Sequence, residues 1–519
     1  MPDGTTAARK RLLIEDWLPA AAIGVECIRE RSTGQQPPDK RFHVWWARRP
    51  LAASRAAVLA SVLPADFPRD VFERLLGLGR PGSEIVAIRE LMDTGVRVEG
   101  GFGAPRAFKG VLRPKDIAAA HDAATRVWGH LPTVMDPMAG GGSIPLESAR
   151  LGFPTLANEY NPVACSVLEA TLDYPFRFGP KLADRARHWG RVWEKRVADK
   201  LARFFPKETG ANVHAYIFAR TVPCPTTGHA TPLVPDWHLL KPKGGIPVVA
   251  VPVVDKKAGT WTTEIRPVGV GPGNVAAPPP RSYSKGKGIS LFTGESIPAD
   301  WIKAKAQAGE MGSALYAVAL KTPQGLKFRP PLQADFDALA AAEEQLEQVR
   351  GDWEARNLLP TEEYPLITTD ARPRTYGMPH WADMFSPRQL LGFGVLMEEL
   401  HALRPAILAE EGEEMGEAVV QLLAFGIDKL TNYNSYCSFW HALRGTQANT
   451  FDRHDFSFKL TFSEMAPTTA GLGLQWAYGS AIEAYQELAK LPAAEAAAPP
   501  TVQQGSATAL IATPDGAMP

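Results

Sequence analysis

TVMDPMAGGGSIPLESAR, residues 133 to 150, sets three signals in a row. The apolar run Thr133-Val134-Met135 reads as the end of a buried strand, Asp136 and Pro137 stop it, and Gly140, Gly141 and Gly142 make a turn. Ser143 is placed to cap a helix running through Leu146, Glu147, Ala149 and Arg150. A strand, glycine loop and helix in this order predict an α/β domain with a ligand at the loop. Glycines accept positive φ, and without side chains they let a ligand approach the amides at the helix start.

A second signal follows about twenty residues on. Pro154-Thr155-Leu156-Ala157-Asn158 predicts the next strand, which ends in Glu159-Tyr160-Asn161-Pro162. An acidic residue at that point is placed to accept hydrogen bonds from ribose hydroxyls. Together the two signals point to a nucleoside-containing cofactor. The G-x-G-x-x-G spacing of a dinucleotide site is absent. A glycine turn in some other α/β enzyme is the plain alternative.

Composition sets wide bounds. With 519 residues, 45% apolar and 22% charged, the chain has room for two to four ordinary globular domains. Acidic and basic residues balance to zero net charge, so any nucleic-acid partner must be met by a local basic surface. No apolar run approaches a membrane span and the N-terminus lacks a signal-peptide core, so a cytoplasmic location and no membrane partner are expected. Cys27, Cys165, Cys224 and Cys437 are widely spaced and read as reduced thiols.

Residues 11 to 63 predict two helices around a basic and aromatic insert, the second beginning near Pro50. Phe42, Trp45 and Trp46 interleave with Arg41, Arg48, Arg49 and Arg55. Such a segment can stack on bases or on an adenine ring while its arginines meet phosphate or carboxylate; tryptophans in the core with a solvated arginine rim is the other reading. Residues 64 to 130 read as mostly helical, with a glycine-rich turn at 100 to 104. Helix is expected after Pro162, then a long amphipathic segment from Lys181 to Phe205. Residues 211 to 325, rich in Pro, Gly and Val, predict short strands and turns. From 326 to 490 helix returns, including Ala334 to Arg356, Pro387 to Leu403 and Gly416 to Lys429. The rings of Tyr433-Asn434-Ser435-Tyr436-Cys437-Ser438-Phe439-Trp440, followed by Arg444, Arg453, His454 and Lys459, form a second candidate nucleic-acid surface. A solvated charged face explains them equally well.

These patches together resemble a bacterial and archaeal family of large adenine-specific DNA methylases. The resemblance rests on LIEDWLP (13–19), FHVWWARRPL (42–51), the glycine loop, NEYNP (158–162), WADMFSPRQLL (381–391), YNSYCSFW (433–440) and Gly505-Ser506-Ala507. It implies a Rossmann-like S-adenosylmethionine-dependent methyltransferase sheet, first half only, with a helical N-terminus, a β-rich insertion and a large helical insertion. Expected divisions are 1–130, 131–205, 206–325, 326–490 and 491–519, the last an Ala/Pro linker and the third strand. The resemblance places the cofactor at Asp136, Pro137, Ala139, Gly140, Gly141, Gly142, Glu159, Tyr160, Asn161 and Ser506, the last where many members carry an acid. It implies adenine in DNA as substrate, in a defence or restriction setting, and the basic and aromatic patches offer Trp45, Trp46, Arg48, Arg49 and Arg444 as the contacts to it.

Two departures from the family pattern matter. Its zinc ribbon uses two cysteine pairs, whereas CPTTGH (224–229) keeps one cysteine and SLFTGE (290–295) none, so a metal-free β module is expected and no metal ligands are assigned. Its catalytic Asp/Asn-Pro-Pro-Tyr/Phe tetrapeptide has no counterpart in these 519 residues. No catalytic residue is assigned, and the expectation is a cofactor-binding half, inactive alone, that stops shortly after Pro514-Asp515-Gly516 and works with a second polypeptide. A non-catalytic cofactor- or DNA-binding subunit and an RNA methyltransferase are the alternatives.

Overall fold

The strand predicted before the glycine loop is β1 (Val134–Asp136), and the one ending in Glu159 is β2 (Thr155–Glu159). With β3 (Thr501–Gln504) they form a parallel sheet in the order β1-β2-β3, with Met135 opposite Leu156 and Val502 opposite Ala157. This computed structural model describes residues 11–31, 36–47, 49–366, 370–452, 458–491 and 499–509. The chain is a mixed α/β protein of two units. The first comprises residues 1–187, 413–422 and 480–519, and the second 188–412 and 423–479. Sequence blocks 131–205 and 326–490 are therefore each divided between units, and the last block shares a sheet with the glycine loop.

In the first unit α1 (Ala20–Arg31) and α2 (Leu51–Val62) flank the basic, aromatic insert. Pro50 stands at the cap of α2 and offers no side-chain acceptor; Glu30 of α1 supplies it, accepting from the Leu51 and Ala52 amides (3.0 and 3.3 Å). Leu59, Phe72, Leu75, Ala123, Leu151 and Phe153 share one core, so the N-terminal helices and the start of the sheet domain fold as one body. Each large apolar side chain there contributes about 1.5–3 kcal/mol by leaving water. The expected buried strand is half-exposed at all three β1 residues. The reason is topological: β1 pairs with β2 on one side and, among the described residues, with no strand on the other.

The second unit is built on the long strand Asn212–Pro223. It pairs antiparallel with Gly312–Thr322, which pairs with Gly325–Arg329, and on its other edge with Thr461–Glu464. The last strand belongs to the stretch read as helical, and it ties the β-rich and helical blocks into one sheet. WADMFSPRQLL serves as its anchor. Ser386 caps helix Pro387–Glu411 by accepting from Gln389 N (3.1 Å), and Arg388 forms a fully buried ion pair with Glu464 of the edge strand (2.5 Å).

The two knuckle-like turns repeat one pattern. Cys224 N donates to His229 O and Gly228 N to Cys224 O; Ser290 N donates to Glu295 O and Gly294 N to Ser290 O, all at 2.9 Å. The first and fourth positions of the two turns, which would be thiolates in a zinc ribbon, are Cys224, Thr227, Ser290 and Thr293. The Cys224 thiol donates to Glu295 (3.0 Å), which also accepts from the Thr226 hydroxyl (2.5 Å). Among the described residues no cluster of three or more His, Cys, Asp or Glu side chains could hold a metal ion, and no helix is long and apolar enough to cross a membrane.

Candidate cofactor site

The turn after β1 is shaped by Gly140 and Gly142, at φ +52° and +82°. Gly142 caps α3 (Ser143–Arg150) with its backbone alone. Ser143, expected as the cap, is instead the first helical residue and caps nothing, because the left-handed glycine already turns the chain. Ala139 N donates to Asn158 O (3.0 Å) and Gly142 N to Ala139 O (2.8 Å), which pins the loop to the end of β2.

Glu159 lies at the centre of this arrangement. Its Oε2 accepts from Gly140 N (2.8 Å), and its Oε1 from Tyr160 N and Asn161 N (2.8 and 3.0 Å). A carboxylate offers about four acceptor positions, so one remains for a ligand hydroxyl. Asn161 then caps α4 (Pro162–Leu168), accepting from Val163 N and Ala164 N. Asp136 accepts from Met138 N (3.2 Å). Burial, with some help from the Glu159 charge, pushes the Asp136 carboxyl above its ordinary range. Pro137 and Tyr160 are exposed at the rim, and Ala139 is buried beneath the loop.

Asn158, quoted in the sequence motif but given no role, is the hinge pin of the site. Its amide donates to Pro137 O and to Gly505 O (3.0 Å each), and Gly505 N donates to Glu159 O (3.0 Å), so the loops after β1, β2 and β3 meet. Asn158 Oδ1 is buried with no hydrogen-bond partner. Ser506 follows Gly505, but its hydroxyl pairs with Thr508 (2.8 Å) in a local turn.

Trp45, from the basic and aromatic insert, meets the same loop. Its indole lies on the glycine loop: a Cβ on Gly140 would stand 2.7 Å from the Trp45 ring nitrogen, and one on Gly141 3.5 Å from the ring. Of the other nucleic-acid candidates, Trp46 and Arg49 are exposed in the same segment, Arg444 is exposed in the second unit, and Arg48 lies outside the described residues. Arg453, His454, the tail residues Pro514, Asp515 and Gly516, and most of the Ala/Pro linker also lie outside them. Arg55 is no part of a basic surface. It is fully buried, donating to Glu147 of α3 (2.5 Å), whose other oxygen accepts from Arg150 (2.8 Å). Burial alone would raise the Glu147 carboxyl, but the two arginines hold it below its ordinary range.

A family model described as Protein of unknown function (DUF1156) matches residues 17–75. Those residues cover α1, the Trp45 insert and α2, the elements that reach the glycine loop and α3. No curated protein and no solved structure matches the chain.

Proposed function

We propose that the first unit binds S-adenosylmethionine and that the chain is the cofactor-binding portion of a DNA methyltransferase acting on the amino group of adenine, in a defence or restriction setting. The observation that carries this reading is Glu159. At the end of the second parallel strand it holds the amide of Gly140 and keeps one acceptor position for a ribose hydroxyl. Asp136 and the loop amides would meet the methionine end. Trp45 offers a flat apolar wall beside Gly140 and Gly141. The choice of DNA, adenine and methyl transfer comes from the sequence resemblance.

Calorimetry with S-adenosylmethionine tests the cofactor. Glu159→Ala should lose about 1.5–3 kcal/mol, the worth of a charge-assisted bond. Equal affinity in the wild type and variant would remove Glu159 from the site. Labelled cofactor offered with DNA and with RNA then separates the DNA reading from an RNA methyltransferase.

A cofactor-binding subunit that acts only with a partner chain is the second reading. The open edge of β1 among the described residues favours it, because an unpaired row of backbone groups is a template for another strand.

A further inference from the structure

The second unit carries a cavity of 380 Å³ lined by the rings of Tyr283, Tyr376, Phe439 and Phe458 and by Arg372 and Lys459, with no carboxylate among its described lining residues. Strand Phe439–His441 builds one wall. Side chains two apart on a strand share a face, and Phe439 and His441 stack at 6.0 Å. Phe458 stacks on Tyr376 at 4.4 Å, and Lys459 stands 4.6 Å over the Phe439 ring. Behind them Arg220, a nearly buried residue of strand Asn212–Pro223, stacks 3.9 Å from Tyr436 and 5.6 Å from Phe458. Its Nε has no hydrogen-bond partner. Arg372 is itself paired with Asp370, its Nε donating at 2.7 Å. Lys459, Arg372 and Arg220 all act to lower the buried Cys437 thiol, while desolvation, the strongest influence, and the Asp370 charge push it up to about 12.

A second cavity of 260 Å³ adjoins the first and shares Pro235, Phe439 and Thr461 with it. It adds Trp440, His441, His238 and Lys241. Its acid, Asp236, is already bonded to Lys241 and His238, at 2.6 Å each. Two adjoining compartments divided by one ring, with flat faces for bases and cations for phosphates, match the repeat of a polynucleotide better than a single small anion.

We propose that this pair of cavities binds two consecutive nucleotides of single-stranded nucleic acid, one in each compartment, with the Phe439 ring as the wall between them and Lys459, beside the Asp370-paired Arg372, facing the phosphates. The proposal deepens the nucleic-acid part of the proposed function. It uses no residue of the glycine loop, so failure of cofactor binding leaves it standing and its own failure leaves the cofactor reading untouched.

The test is fluorescence anisotropy of the full chain, without cofactor, against a labelled mixed-sequence single-stranded oligonucleotide of about twelve nucleotides. Phe439→Ala should weaken binding about tenfold, and Phe439→Trp should restore it. Lys459→Gln should lower the slope of log affinity against log salt by about 0.7. Thermal melting shows which variants fold; should Phe439→Ala unfold, Phe439→Leu and Lys459→Gln carry the comparison. No binding by the wild type, or equal affinity in wild type and folded variants, overturns the site. A duplex bound as tightly as the single strand overturns the choice of partner, and adenosine monophosphate bound as tightly as the oligonucleotide overturns the two-nucleotide reading.

Discussion

At the scale of single residues, Asp39 shows how much position changes chemistry. It is buried beside Lys40, Glu30 and Glu147, and desolvation, with the two glutamates, pushes its carboxyl up to about 7 although Lys40 opposes them. In the unfolded chain the same group titrates near 4. Between those values the folded protein holds a proton that the unfolded chain has released, so this group's contribution to stability falls as pH rises from about 4 through about 7 and is level above. Thermal melting of the wild type should therefore decline from pH 5 to pH 8 more steeply than that of Asp39→Asn. Parallel profiles would mean that Asp39 ionises in the fold without penalty. Gly140 is legible in sequence as a glycine turn, but the second reason for it is not: the Trp45 indole occupies the direction a Cβ would take. Gly140→Ala should lose cofactor binding in calorimetry by more than Trp45→Ala does, since it meets both the positive φ and the ring.

At the scale of elements, helices α2 and α3 are joined by the buried Arg55–Glu147–Arg150 cluster, which fastens the DUF1156-matching segment to the helix after the glycine loop. Removing the shared anion leaves two buried guanidiniums facing each other. Glu147→Gln should cost about 3–5 kcal/mol in urea unfolding, and a loss under about 1 kcal/mol would show that water reaches the cluster. The periodicity of α2 marks its apolar face, but a single arginine within it cannot announce whether its partner is phosphate or a carboxylate far along the chain. The knuckle turns make the opposite case. Their repeated hydrogen bonds persist with Cys224, Thr227, Ser290 and Thr293 in place of four thiolates. If that frame is a ribbon, Thr227→Cys, Ser290→Cys and Thr293→Cys together should bind one zinc per chain by elemental analysis, at a tetrahedral four-thiolate site. A triple variant that folds but takes up no zinc would show that the turns do not converge on one point.

At the scale of the whole molecule, the proposed activity depends on what lies beside β1. An adenine amino group is a poor nucleophile, its lone pair being delocalised into the ring, so acceptors must orient it and take up its developing positive charge. The Asp/Asn-Pro-Pro-Tyr/Phe tetrapeptide that supplies such acceptors in the resembled family is absent from these 519 residues. Methyl transfer to adenine should therefore require co-expression with a polypeptide that pairs with the β1 edge. Robust transfer by this chain alone would move the catalytic role to residues assigned elsewhere. The sequence by itself determined the local units: the strand, glycine loop and helix, the second strand with the acid at Glu159, the helix after Pro162 and the helices on either side of Trp45. These follow from backbone preferences and short-range periodicity, which neighbouring residues decide. Only the tertiary structure decided that Asn158 ties three loops together, that Trp45 lies on the glycine loop, that Arg55 faces Glu147, and that Thr461–Glu464 completes a sheet begun at Asn212. Those pairings join residues far apart in the chain. They are fixed by which apolar faces can be buried together and by which buried charges can find an opposite, and no local pattern records either.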